Sequence, residues 1–383
     1  DFLFLQAGAK LGPVSAKAIS YILDYDEAFA FANSSQTYGA RVSGSVPLSK
    51  AVKLNILASY ARQMDIGRNP VNYEADFVVG ELGLGYQGFT LTGSAGQYRV
   101  ARGGDFNGDG LADILISLAS ASVTAAQAYV IFGQAGYTQS SLFLPAFQSS
   151  PSSGFRLTGA SASSIDSAGD VNGDGYDDIL VGSADLVSGV VYVLFGHRPE
   201  TAFPDVDLSN FYLYTRGFRI VGGAGGLLGS VVSAAGDVNG DGTDDFIVGA
   251  YLFDSQGGAD AGAIYVVFGR VVAANAGNAF TELDMSTFTS GATLGFRLLG
   301  AMGSALSGWC VSGAGDVNGD GYSDVVVGAH GFDAPGKADA GMVYVIYGHN
   351  VALPYQDIDL RYFVTSSVTG FRIVGAAAGD GLG

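Results

Sequence analysis

The chain carries little of what covalent or catalytic chemistry uses. It has one cysteine in 383 residues, Cys310, so no internal disulfide can form. The neighbours Trp309 and Val311 suggest that Cys310 is a buried small hydrophobe rather than a reactive thiol. Cysteine poverty does not exclude an extracellular setting, where bound metal can stiffen a fold in place of cross-links. The three histidines, His197, His330 and His349, are scattered and have no zinc spacing. Two of them follow a Phe-Gly or Tyr-Gly pair, and all three read as surface loop residues. Lys and Arg number only 18 against 36 Asp and Glu, a net charge of −18 that argues against nucleic acid or anionic membranes as partners. No apolar run of about 18 residues is present, so no transmembrane helix is expected. No phosphate-binding loop and no uncommitted acid/base pair is found, and the expectation is that the chain is not an enzyme. It starts at Asp1 without a signal-peptide pattern and stops at Gly383 in mid-pattern, which reads as a fragment.

Glycine, by contrast, is plentiful at 59 residues, and much of it lies in a ten-residue pattern that occurs four times. The copies run Gly104–Asp113, Gly169–Asp178, Gly236–Asp245 and Gly315–Asp324, each followed at once by an apolar β-type run. With the first Asp as position one, side-chain oxygens fall at positions one, three, five and nine, and the carbonyl of position seven completes the set. The candidate calcium ligands are Asp105, Asn107, Asp109, Leu111 and Asp113; Asp170, Asn172, Asp174, Tyr176 and Asp178; Asp237, Asn239, Asp241, Thr243 and Asp245; and Asp316, Asn318, Asp320, Tyr322 and Asp324. Calcium is a hard cation that takes six to eight oxygens, and a tight loop supplies them from such alternate positions. Glycine at position six (Gly110, Gly175, Gly242, Gly321) permits the sharp turn. Position seven varies freely, as expected where only its carbonyl is used. An EF-hand is excluded, because position twelve is Ile116, Val181, Val248 or Val327 instead of Glu. The bland alternative is that Asn-Gly and Asp-Gly are simply good hairpin turns. A bare turn does not require acids at positions one, five and nine in every copy, since close carboxylates repel unless a cation lies between them. Four bound divalent ions would bring the net charge from −18 to −10.

Around these loops the sequence repeats. Each unit opens with Gly-Phe at Gly88, Gly154, Gly217, Gly295 and Gly370, at spacings of 66, 63, 78 and 75 residues. A small-residue segment, the acidic loop, a β run and a variable loop follow. A second β run then ends at Gly133, Gly196, Gly269 or Gly348. The fifth unit stops before its own loop. Units of this length hold about four short strands, one propeller blade; a parallel β-helix is the runner-up, with repeats that are much shorter. Tyr192, Phe195, Tyr265 and Phe268 are expected in blade cores.

Residues 1–87 have no such loop and read as about five strands with period-two alternation, for example Tyr38, Ala40, Val42, Gly44 and Val46 on one face. Short turns are expected near Gly12-Pro13 and at Pro47–Lys50, with longer loops at Asp26–Ser35 and Gln63–Asn72. A soluble antiparallel meander and a fragment of an outer-membrane barrel both fit this pattern. The segments Tyr21–Glu27, Phe31–Gly39 and Ala58–Gln63 resemble part of the bacterial alginate-export family of outer-membrane porins. Five strands are too few to close a barrel.

Over residues 88–383 the Phe-Gly endings, the Val-Gly-Ala or Val-Gly-Ser triplets (Val181–Ser183, Val248–Ala250, Val327–Ala329) and the acidic loops resemble FG-GAP repeats. These are similar to the propeller at the head of integrin α chains and to bacterial surface proteins. The resemblance implies a seven-bladed propeller with calcium loops on the face opposite the ligand-binding face; the four complete repeats here cannot close such a ring. The first repeat departs most, with Gln97–Arg102 where the third has Leu228–Ser233. The expectation is therefore an all-β chain: an antiparallel β-meander over 1–87, then a partial propeller of four-stranded blades over 88–383. Its function would be a calcium-stabilised extracellular or cell-surface binding and adhesion module, with a protein or glycan ligand. The alternatives are a propeller appended to a secreted hydrolase or lyase, and an outer-membrane channel fragment, with membrane association only through residues 1–87.

Overall fold

In the computed structural model, the described residues are the strands between 2 and 92, then 97–119, 128–135, 142–144, 147–184, 188–198, 204–211, 216–223, 225–271, 281–350 and 355–383, with the connections 12–13, 24–34, 48–51, 66–73 and 87–88 left outside. The expected long loops of the N-terminal region fall largely outside them.

The chain divides into two compact units, one of residues 1–96 with 135–147, the other of 97–134 with 148–383. The first is a single sheet. Its strands Phe2–Leu11, Val14–Leu23, Ser35–Pro47, Val52–Asp65 and Glu74–Tyr86 form an antiparallel meander. The register Leu11↔Val14 leaves a two-residue connection at Gly12-Pro13, where the turn is expected. Phe89–Thr92 adds antiparallel to Glu74–Tyr86, and Leu142–Phe143 adds parallel to Phe89–Thr92.

The second unit is four sheets in succession, each an antiparallel run of four strands. Sheet one holds Gln97–Gly104, Asp113–Ala119, Ala128–Ile131 and Gly154–Thr158. Sheet two holds Ser164–Gly169, Asp178–Ser183, Val190–Leu194 and Gly217–Val221. Sheet three holds Val231–Gly236, Asp245–Ala250, Ala263–Val267 and Gly295–Leu299. Sheet four holds Ser307–Gly315, Asp324–Ala329, Met342–Ile346 and Gly370–Val374. A two-residue strand from the following repeat (Val206–Asp207, Leu283–Asp284 or Ile358–Asp359) lies parallel to the outer strand of the first three sheets. This is an all-β partial propeller.

The Gly-Phe strand that opens each sequence repeat is thus the outer strand of the preceding sheet, so repeat and blade are out of phase by one strand. Its glycine is obligatory. Gly154, Gly217, Gly295 and Gly370 have φ between 112° and 142°. A Cβ there would overlap the carbonyl oxygen of Val130, Val193, Val266 or Val345 on the neighbouring strand.

The second strands of sheets two and three are buried at every position because both faces of an inner sheet are covered. In sheet two, Tyr192 and Leu194 pack toward sheet one, while Val191 and Val193 pack toward sheet three. In sheet three, Phe246 and Val248 face sheet two, and Ile247 faces sheet four. Tyr192, Tyr265 and Phe268 are buried core residues as expected, and Phe195 is partly buried against the same core.

One expectation about a rare residue changes. Cys310 is exposed: it lies on the face of sheet four turned away from sheet three, whereas Val311 beside it faces that seam. Desolvation nonetheless raises its thiol pKa, so thiolate character is low. The histidines lie in loops, as expected, and each rests on an aromatic ring: His197 packs against Phe106, His330 on Trp309 and His349 on Tyr355.

Candidate functional site: the acidic loops

Each acidic loop joins the innermost strand of a sheet to the second strand, and all four copies share one hydrogen-bond pattern. The position-one carboxylate accepts from the amides of positions five and six. Asp105 accepts from Asp109 and Gly110, Asp170 from Asp174 and Gly175, Asp237 from Asp241 and Gly242, and Asp316 from Asp320 and Gly321, at 2.8–3.1 Å. The position-three Asn side chain accepts from the position-five amide and donates its Nδ2 to the position-five carboxylate, as in Asn107 with Asp109. That carboxylate in turn accepts the amide of position seven, Leu111, Tyr176, Thr243 or Tyr322. The glycines at position six have φ of 83–94°, the left-handed turn their placement implied.

The position-nine aspartates are the most deeply placed members: Asp113 is 2 % exposed, and Asp178, Asp245 and Asp324 are 0 % exposed. Each accepts two amides. One comes from position two (Phe106, Val171, Val238 or Val317) and the other from the glycine two residues past the third strand (Gly133, Gly196, Gly269 or Gly348). Burial pushes Asp113 up to about 7 and Asp245 up to about 8, and raises Asp178 well above the usual range. The amide bonds oppose that rise, and the carboxylates at positions one and five add to it. No basic side chain contributes to any of the three. A sunken carboxylate with acid neighbours and no cation is a high-energy arrangement.

The donor set is all oxygen, which fits a hard divalent ion. No group of three or more acidic, histidine or cysteine side chains among the described residues is drawn together tightly enough to grip an ion as it stands. The loop oxygens are turned onto the loop's own amides instead. A carboxylate oxygen that accepts one amide keeps a further lone pair, so amide bonding and metal binding are compatible.

Position eight carries a role that pattern reasoning missed. Its amide donates to the position-one carbonyl of the preceding loop: Asp177 to Asp105, Asp244 to Asp170 and Ser323 to Asp237. Where it is Asp, its carboxylate also accepts the position-one amide of that loop, at 2.6 Å for Asp177 with Asp105 and 2.9 Å for Asp244 with Asp170. The glycine before position one has φ of 66–73°, and a Cβ on Gly104, Gly169 or Gly236 would strike Asp177, Asp244 or Ser323. Successive loops are therefore clamped to one another across each seam. Position two is sealed by the same contact: Phe106, Val171 and Val238 are at most 2 % exposed, and their carbonyls accept from His197, Arg270 and His349. In the fourth sheet Val317 is 51 % exposed and Gly315 has open space at its Cβ.

The outer strands are strapped in a second recurring way. Arg156, Arg219 and Arg297 of the Gly-Phe-Arg segments pair with Asp205, Glu282 and Asp357. Each acid stands just before the short parallel strand.

Comparison with known proteins agrees with this architecture. The profile of the FG-GAP repeat matches residues 162–194, 228–267 and 310–346. The chain carries FG-GAP repeats. It is similar to integrin alpha pat-2 of Caenorhabditis briggsae (30 % identical over 226 residues, 56 % of this chain and 16 % of that protein). It is also similar to integrin alpha-V of Gallus gallus (26 % over 248 residues, 62 % and 20 %). A shorter stretch is similar to phosphatidylinositol-glycan-specific phospholipase D of Bos taurus (45 % over 65 residues, 17 % and 8 %). The chain thus spans a fifth or less of each of these relatives. In structural terms the Phe-Gly of an FG-GAP unit has a definite task, since its glycine amide is one of the two bonds that hold the buried position-nine aspartate.

Proposed function

We propose that residues 88–383 act as a calcium-stabilised, extracellular or cell-surface binding module, with calcium structural and a protein or glycan as ligand, and that residues 1–87 form a separate meander. The observation that carries this is the position-nine aspartate: buried in every loop, two further acids beside it in the sequence, and in the first three loops without a basic group acting on it. The residues that would hold the ion are those at positions one, three, five, seven and nine. A divalent ion would supply the missing positive charge and tie the loop to the strand that follows it. Similarity to integrin α chains supports the adhesive reading and a place outside the cell. No helix among the described residues is long and apolar enough to cross a membrane.

The test is calorimetric titration of chelator-treated protein with calcium. The expected outcome is four sites with dissociation constants on the order of 10⁻⁴ to 10⁻³ M, as for extracellular modules. Asp241→Ala should reduce the number to three. Absence of calcium binding at millimolar concentration would overturn the reading. Similarity to the phospholipase D sequences favours one second reading, in which the same propeller is appended to an enzyme; the complete reading frame distinguishes the two.

A further inference from the structure

Two side chains at position seven do more than the variability of that position suggests. With the loops counted one to four in chain order, a Cβ on Gly108, position four of loop one, would overlap Cε1 of Tyr176, the position-seven residue of loop two, and stand 2.8 Å from its Cδ1. A Cβ on Gly240 of loop three would meet Tyr322 of loop four in the same way, again 2.8 Å from Cδ1. Each ring therefore lies against the tip of the preceding loop. Gly108 separates Asn107 from Asp109, and Gly240 separates Asn239 from Asp241, so the ring braces the turn between two candidate ligands. Loop two is met differently. Thr243, position seven of loop three, is short and donates its hydroxyl to its own Asp241. Among the described residues, Val271 stands against Gly173 instead, with Cγ2 3.0 Å from where a Cβ would be.

The stem of each tyrosine is fixed by its own loop. The amide of Tyr176 donates to the Asp174 carboxylate and that of Tyr322 to Asp320, both at 3.0 Å. Their Cβ atoms sit beside the glycine past the third strand: a Cβ on Gly196 would stand 2.8 Å from that of Tyr176, and one on Gly348 3.0 Å from that of Tyr322. The next amide, of Asp177 or Ser323, donates to the position-one carbonyl of the preceding loop. The Oη of Tyr322 also accepts from Asn350 Nδ2 at 3.4 Å. One residue thus serves two loops, with its carbonyl a candidate ligand of its own loop and its ring a brace for the neighbour.

We propose that Tyr176 and Tyr322 are positioning residues that couple neighbouring calcium sites, so that an ion in loop two strengthens binding in loop one and an ion in loop four strengthens binding in loop three. An empty loop holds three close carboxylates that repel one another. An ion among them fixes the position-seven backbone and with it the ring. The preceding loop then meets its own ion already ordered and loses less entropy on binding. Linkage makes the effect mutual, with the same factor in both directions. Charge acts the other way, since a filled loop draws the next cation less strongly than an empty one. At about 0.15 M salt that effect is screened beyond about 8 Å, while the ring contact is not. The inference rests on the calcium reading and adds a coupling between its sites.

Hydrogen exchange on the full chain, treated with chelator and titrated with calcium at about 0.15 M salt, gives a midpoint for each loop separately. Asp174→Asn weakens the ion site of loop two but keeps an acceptor for the Tyr176 amide. It is expected to raise the midpoint of residues 104–113 about fivefold, the lower end for coupled sites. Tyr176→Ala should raise that midpoint to a similar degree, and adding Asp174→Asn to it should bring little further rise. Tyr176→Phe, which keeps the ring, should retain the native midpoint. Tyr322→Ala should act on residues 236–245 in the same way. A loop-one midpoint that ignores Asp174→Asn, or that shifts equally in Tyr176→Phe and Tyr176→Ala, would overturn the proposal. The Asp174→Asn arm leaves the tyrosine in place, so the proposal stays falsifiable if Tyr176→Ala folds poorly. Four sites that fill independently would defeat the coupling alone, whereas no calcium-dependent protection at any loop would defeat the calcium reading itself.

Discussion

A single glycine position reports whether the loops clamp one another. Gly169 and Gly315 have similar left-handed φ values, 73° and 66°, so alanine at either incurs a similar backbone penalty. They differ in surroundings: a Cβ at Gly169 meets the Asp244 carboxylate, and one at Gly315 meets nothing. Gly169→Ala is expected to lose about 1–3 kcal/mol more than Gly315→Ala in urea unfolding, the range for overpacking a filled site. Equal losses would sink the clamp. The sequence shows positions one, three, five, six and nine plainly because their chemistry is uniform across copies. It hides position eight because Ala112, Asp177, Asp244 and Ser323 share no chemistry. The conserved part of that contact is a backbone amide, and its partner lies 72 or 74 residues away in the two Asp copies. Cys310 differs from expectation because adjacent residues on a strand face opposite sides: Val311 packs in the seam with sheet three, and Cys310 lies on the other face of sheet four, the face on which its sheet-three counterpart Val231 is packed.

At the level of the strand, the strap between Arg297 and Asp357 gives a pH-dependent prediction. Burial works to raise the Asp357 carboxyl. Hydrogen bonds from Arg297 and Ser290 and the guanidinium charge outweigh it, and the group lies below the usual carboxylate value. A lowered native pKa contributes stability that is present above the unfolded value, about 3.9 for Asp, and is lost as pH falls through the native one. The coupling between Arg297→Met and Asp357→Asn in a double-mutant cycle is expected to be about 0.2–1 kcal/mol at pH 6, small because both groups are partly exposed. It should fade below pH 4; coupling that persists undiminished at pH 2 would contradict the strap. The strands themselves were legible, since apolar runs bounded by glycine mark each one, and the meander of the first unit has its expected alternating segments paired in order. The phase of the sheets was not. Gly-Phe-Arg looks like the start of a unit because it follows a variable loop, whereas its hydrogen bonds run backward to the strand before that loop. Only pairing such as Tyr192 with Arg219 reveals this.

Across the second unit, the clamps turn four sheets into a chain of nearest neighbours, and the consequences of losing one loop should follow that order. Loop three touches both sides: Asp244 reaches back to Asp170, and the Asp237 carbonyl receives Ser323 from ahead. Loop one touches loop two only, through Asp177. In arrays of this kind stability is a sum of unit terms and neighbour terms, so a defect weakens its own unit and the adjacent ones. Calcium at about a hundred times its dissociation constant stabilises a single site by about 2.7 kcal/mol, enough for roughly a hundredfold change in amide protection. Hydrogen exchange with and without calcium is expected to show protection gained within residues 97–134 and 148–383 and none in the strands from Phe2 to Tyr86, which carry no acidic loop. In Asp241→Ala the gain should vanish at residues 236–245, diminish at 169–178 and 315–324, and stay intact at 104–113. Uniform loss over all four loops would mean that the second unit opens as one body and not seam by seam. Loss confined to 236–245 would mean that the clamps transmit nothing between sheets.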